Sequence, residues 1–179
     1  MKKQLLKKPL EKLNIVSNDK LRLSNHENLF DNTDMVEFKV FNPQGKEDWA
    51  EDFDANQAVE IYINGKEIIE ILKEIETPYA MSEGHVDIAG AYGHLTPKQL
   101  YSELTDTDES ALLCCDGCGF TGCWSVLVKV EEDDNYIYWK NFRHNHRDWK
   151  YDISYKFGRT EYENALKQLA KYMKIVCYN

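Results

Sequence analysis

The residues with the clearest chemical potential lie in the stretch 112–124, Leu-Leu-Cys-Cys-Asp-Gly-Cys-Gly-Phe-Thr-Gly-Cys-Trp. Cys115-x-x-Cys118-Gly119 has the shape of a zinc knuckle. Two intervening residues let both sulfurs face one ion, and the glycine that follows accepts the positive φ of the turn. Cys123 supplies a third thiolate, and His144 or His146 is the candidate fourth ligand, past one strand and a turn. Zinc is the cofactor this pattern suggests. Two other readings of the same residues stand beside it. One is reduced cysteines packing a tight hairpin. The other is redox chemistry by Cys115 and Cys118, which lacks the helix N-terminus that would lower a thiol pKa.

A second cluster, Trp139-Lys140-Asn141-Phe142-Arg143-His144-Asn145-His146-Arg147-Asp148-Trp149, interleaves basic and aromatic residues, as sites for phosphates and bases do. It reads either as a loop whose aromatics plug a sheet end, as an anion site around Arg143 and Arg147, or as the source of a metal-ligating histidine. His85 and His94 flank Asp87 in a glycine-rich loop, where ordinary hydrogen-bonded histidines are the commoner case. No Gly-x-Ser-x-Gly elbow and no phosphate-binding glycine loop occurs in the chain. The acidic run 47–54 lacks the ligand spacing and glycine of an EF-hand.

These residues need elements to hold them. Alternation of apolar and polar residues predicts strands over 35–41 and 58–63, the latter ended by Asn64-Gly65. Ile68, Ile71, Leu72 and Ile75 then follow a helical period, giving a helix over 66–76 that buries Ile71 and Leu72 and that Pro78 stops. Residues 79–96 read as a structured loop. Thr96-Pro97 opens a short helix to about Leu104. Residues 111–140 are expected to form three successive antiparallel strands, 111–115, 124–131 and 136–140, with the cysteine loop at one end. A further strand covers 151–157, and a capping-box pattern at Thr160-Glu161-Tyr162-Glu163 opens a helix to about Met173. The expected fold is a single α+β domain over 35–179, an antiparallel meander with two or three flanking helices. Residues 1–34 read as a polar, partly mobile segment, or a short helix through Leu5, Leu6, Leu10 and Leu13 interrupted at Pro9.

At 179 residues the chain is long enough to bury a core without staples. No run is apolar enough for a membrane helix, and no apolar stretch follows the basic start as in a secretory signal, so a cytoplasmic location is the expectation. Charge is unevenly distributed: residues 1–24 carry net +5, residues 25–134 net −19 and residues 135–179 net +5, for −9 overall. That balance argues against direct nucleic-acid binding and against an anionic membrane surface.

The segment from Leu112 to Trp124, with Trp139, Phe142, Arg143, Trp149 and the Tyr162–Leu166 helix, resembles a group of uncharacterised small bacterial proteins. These carry a Leu-Leu-x-Cys-x-Cys-Gly-x-x-Gly-Cys-Trp hairpin followed by a Trp-x-x-Phe strand end. The resemblance covers about residues 110–168, and this chain has Asp116-Gly117 where the pattern has one residue. It implies a shared hairpin and no particular activity. Three functions follow from the whole reading. The first is a non-enzymatic binding protein of immunity or inhibitor type. Its acidic surface would engage a basic protein, such as a nuclease or another nucleic-acid-binding protein, through Glu47, Asp48, Trp49, Glu51, Asp52, Phe53 and Asp54. The others are a structural or regulatory zinc protein and a small metal- or thiol-dependent enzyme.

Overall fold

A computed structural model describes residues 32–43 and 57–173. Nearly all of the N-terminal segment and the whole acidic run 47–54 lie outside these residues. Strands β1 (Val36–Phe41) and β2 (Ala58–Ile63) pair antiparallel, with Val36 opposite Ile63 and Phe41 opposite Ala58. Asn64 and Gly65 both take positive φ, 52° and 81°, the backbone of a two-residue hairpin turn. The turn returns the chain as β3 (Lys66–Glu67), paired to the end of β2. From there it enters helix α1 (Ile68–Ser82) directly.

Helix α1 presents Ile68, Leu72, Glu76 and Ala80 to the core at four-residue intervals. Ile71 is only half-buried at the margin of this stripe. Pro78 does not stop the helix but sits inside it. A proline there forfeits one backbone hydrogen bond. The last turn holds because Ala80 is fully buried and Tyr79 stacks on Trp149, with ring centroids 6.1 Å apart. A short 3-10 turn at Val86–Ile88 and strand β4 (Tyr92–Gly93) occupy the segment expected to be loop. Helix α2 (Pro97–Asp106) begins with a full capping box, the Thr96 hydroxyl accepting from the Gln99 N–H and the Gln99 side chain accepting from the Thr96 N–H.

The expected strand 111–115 is split between two sheets. Ser110–Ala111 (β5) pairs with β7 (Val126–Glu132), whereas Cys114–Cys115 (β6) pairs with β4. Strands β7, β8 (Tyr136–His144) and β9 (Tyr155–Gly158) complete an antiparallel sheet in the order β5-β7-β8-β9. Strand β8 runs four residues beyond the expected end at 140, and β9 begins only at Tyr155, so 151–154 is not strand. Helix α3 (Arg159–Met173) starts one residue before the expected cap and follows Gly158 without a break. It buries Tyr162, Leu166 and Leu169.

One core joins these parts. Val59, Ile61 and Ile63 of β2, Val126, Val128 and Val130 of β7, and Trp139 and Phe157 of the same large sheet belong to a single buried cluster with the three helices. Trp139, Phe157 and Tyr162 pack at edge-on or tilted angles, and the Trp139 indole N–H donates to the Tyr162 hydroxyl at 3.1 Å. Asp34 ties the small sheet to the large one: its N–H donates to the Lys156 carbonyl at 2.7 Å and its carboxylate accepts from the Lys156 N–H at 2.8 Å. The architecture is therefore a single α+β domain with an antiparallel meander and three flanking helices.

Candidate metal centre

The cysteine loop leaves the fold from β6. Gly93, across from Cys114, makes this possible: a Cβ there would stand 3.2 Å from the Asp116 Cα and 3.2 Å from the Cys114 sulfur. Glycine lets the two backbones come this close without the small adjustment that a side chain would demand of its neighbours. The Gly119 N–H donates to the Cys115 carbonyl at 2.8 Å, closing the turn, with Gly119 at a φ of 71°. The Cys123 N–H reaches the Phe120 carbonyl at 3.3 Å, so the chain folds back on itself. As a result one sulfur each from Cys115, Cys118 and Cys123 lies within 4.8 Å of the other two.

The local backbone favours negative charge at Cys115. The Cys118 N–H, the Cys118 side chain and the Gly117 N–H all bond its sulfur and hold its pKa below the ordinary thiol value. Cys123 is the converse. Its thiol donates toward Cys115 and Cys118, and losing that proton would forfeit those hydrogen bonds, so its pKa is pushed up to about 11. A cation among the three removes this conflict, because thiolates are the form that binds metal. Cys114 plays no part in the cluster; its thiol is buried and donates to the His94 carbonyl at 3.4 Å.

The segment 144–146 braces this loop and does not join it. Among the described residues no histidine nitrogen or carboxylate oxygen belongs to the group of three sulfurs. The Asn145 side chain accepts from the Ser125 N–H at 3.0 Å and donates to the Thr121 carbonyl at 3.1 Å. His146 Nε2 sits 2.9 Å from the Gly122 carbonyl, which can only accept, so that nitrogen carries the proton. His144 is buried in an aromatic box, its ring edge-on to Trp124 at 4.2 Å and 5.6 Å from Trp149. Its Nδ1 accepts from the His146 N–H at 2.9 Å, which places the proton of the neutral ring on Nε2. Burial first, and Arg147 and His146 next, lower its pKa to about 4.

The other sequence candidates are placed as follows. Arg143 is held by both oxygens of Glu109, at 2.9 and 2.5 Å. Arg147 lies over the Trp124 ring at 5.3 Å and 3.5 Å from Glu83, whose other oxygen accepts from the Trp149 indole N–H at 2.7 Å. Both guanidiniums of the anticipated anion site thus face carboxylates of the chain itself. His94 meets Glu67 at 2.9 Å. The residues Glu47 to Asp54 lie outside the described structure.

One buried polar group escaped the sequence reading. Glu76, fully buried on the apolar stripe of α1, accepts from the hydroxyls of Tyr92 and Tyr151 and from the Gly90 N–H. Burial outweighs these hydrogen bonds and raises its pKa. The four-residue spacing Ile68, Leu72, Glu76 was the available signal. Every partner is internal, so the network reads as a clamp joining α1 to the segment before α2 and to Tyr151. No helix among the described residues is long and apolar enough to cross a membrane. No family model, curated protein or solved structure matches the chain.

Proposed function

We propose that this chain is a zinc-binding protein in which Cys115, Cys118 and Cys123 hold the ion at the surface end of the β6–β7 connection. The carrying observation is the mutual approach of the three sulfurs within 4.8 Å, with backbone N–H groups already turned toward Cys115. Soft thiolate donors select zinc over the hard cations magnesium and calcium. The ion is not what makes the fold. The core lies in the sheets and helices, and Asn145 and His146 anchor the loop independently of any metal. Such a site serves recognition or ligand binding at the loop. Elemental analysis of protein purified without chelator tests it, with Cys118→Ser as the variant that should lose metal.

The binding role toward a basic protein partner is the second reading, supported by the net −19 of residues 25–134. Its proposed contacts, Glu47, Asp48, Trp49, Glu51, Asp52, Phe53 and Asp54, rest on the sequence. The two readings are compatible: an acidic surface steers the partner, and the zinc loop contributes a rigid contact.

A further inference from the structure

Tetrahedral zinc takes four donors, and sites with three protein donors keep the fourth position for an exchangeable ligand. The described residues bring three sulfurs together and no fourth histidine, cysteine or carboxylate atom to the group. His146 is committed to Gly122, and His144 to its aromatic box. Beside the cluster lies an open cleft of about 350 Å³, lined by Cys115 and Cys123 together with Ile88, Ala91, Asp116 and Trp124. That volume is at the lower end of the range for small-molecule sites.

Building on the zinc reading, we infer that the cleft is a binding site for a small molecule with a neutral aromatic nitrogen donor of the imidazole class, which completes the coordination of the ion beside Cys115 and Cys123. Charge decides the class. A divalent ion with three thiolates carries net negative charge, and Asp116 adds another negative group on the cleft wall. A carboxylate or phosphate entering there is repelled. Water binds the ion but leaves the walls of Ile88, Ala91 and Trp124 uncovered. A neutral azole meets both demands: its nitrogen is a good zinc donor, and its flat apolar body packs against the Trp124 indole.

The test uses the full chain loaded with cobalt(II) in place of zinc, read by its thiolate charge-transfer and visible ligand-field bands. Imidazole and 4-phenylimidazole are titrated in, with acetate and benzoate as anionic comparators. The inference expects saturable shifts with both azoles, 4-phenylimidazole binding about tenfold or more tightly than imidazole because its phenyl ring fills the cleft. It also expects Ala91→Phe, which narrows the cleft at an exposed position, to abolish that preference while imidazole still binds, and Trp124→Ala to weaken it. Cobalt bands that no azole moves would overturn the inference and leave the zinc reading standing, as would acetate or benzoate binding as tightly as the azoles. Absence of thiolate–cobalt bands altogether would overturn both.

Discussion

Cys115 and Cys123 face the same ion in the proposed site, yet their sulfurs are tuned in opposite directions. Backbone N–H groups lower the pKa of Cys115, while Cys123 is pushed up to about 11 by the neighbouring sulfurs. The thiolate is the nucleophile. In metal-free protein, Cys115 is therefore expected to alkylate with iodoacetamide faster than Cys123 at pH 7, as read by peptide mass spectrometry, and added zinc should protect both. Equal rates would mean that the backbone does not single out Cys115. His144 gives a pH signature. Its folded pKa, about 4, lies below the ordinary 6.5, so the unfolded chain binds the proton more readily. Its contribution is fully present above pH 6.5 and is lost as pH falls toward 4, by up to about 3 kcal/mol. Urea unfolding across that window should show this loss in the native chain, and His144→Phe should lack it. Glu76→Ala leaves the Tyr92 and Tyr151 hydroxyls and the Gly90 N–H without their acceptor, at about 1–3 kcal/mol for each buried donor. The cysteine cluster was legible in the sequence because its three members lie within nine residues of one another. The Glu76 network was not, since its partners come from segments 14 to 75 residues away.

Strand β8 shows where element-scale reading succeeds and where it stops. Ile137 and Trp139 alternate inward as expected, but the inward residues then become Phe142 and His144. Asn141, at a φ of 55°, marks the extra residue, and the β7–β8 register shifts between Leu127 and Lys129. A bulge of this kind swaps the faces of the strand beyond it. It turns Arg143 outward to Glu109 and carries His144 into the core. A strict period of two breaks at this point, so alternation alone ends the strand at 140. The expected strand 111–115 failed for a related reason. Its ends pair with partners in different sheets, and one of them, β4, is too short to announce itself. Helix α1 was readable by period, but Pro78 suggested a boundary that tertiary packing overrides. Leu72→Ala should cost about 2–5 kcal/mol, since Leu72 is fully buried, and Ile71→Ala clearly less because Ile71 is half-buried. Equal costs in denaturant unfolding would mean the helix face is rotated from the one described. Asn145→Ala removes two hydrogen bonds to the cysteine loop and is expected to weaken zinc affinity without unfolding the core.

At the scale of the whole molecule, the proposed metal site lies apart from the core of the fold. The buried cluster draws on every helix and on strands of both larger sheets, whereas the three sulfurs sit in an exposed or half-exposed loop. The α+β class followed from strand alternation and helix period, because those patterns record which face is buried. The charge distribution was equally plain, but charge alone names no partner. If the acidic run is an interface, reversing Glu47, Asp48, Glu51, Asp52 and Asp54 should slow association with the basic partner and flatten its salt dependence. Unchanged rates would move the interface elsewhere. The central claim remains the zinc site on a fold that does not depend on it. The most direct measurement is the metal content of protein purified without chelator, taken together with that of Cys118→Ser and with circular dichroism of both. The account predicts about one zinc per native chain, a large loss in Cys118→Ser, and the same secondary structure in each. A native chain that is folded and free of metal, with Cys115, Cys118 and Cys123 freely titratable and unable to take up added zinc, would contradict it.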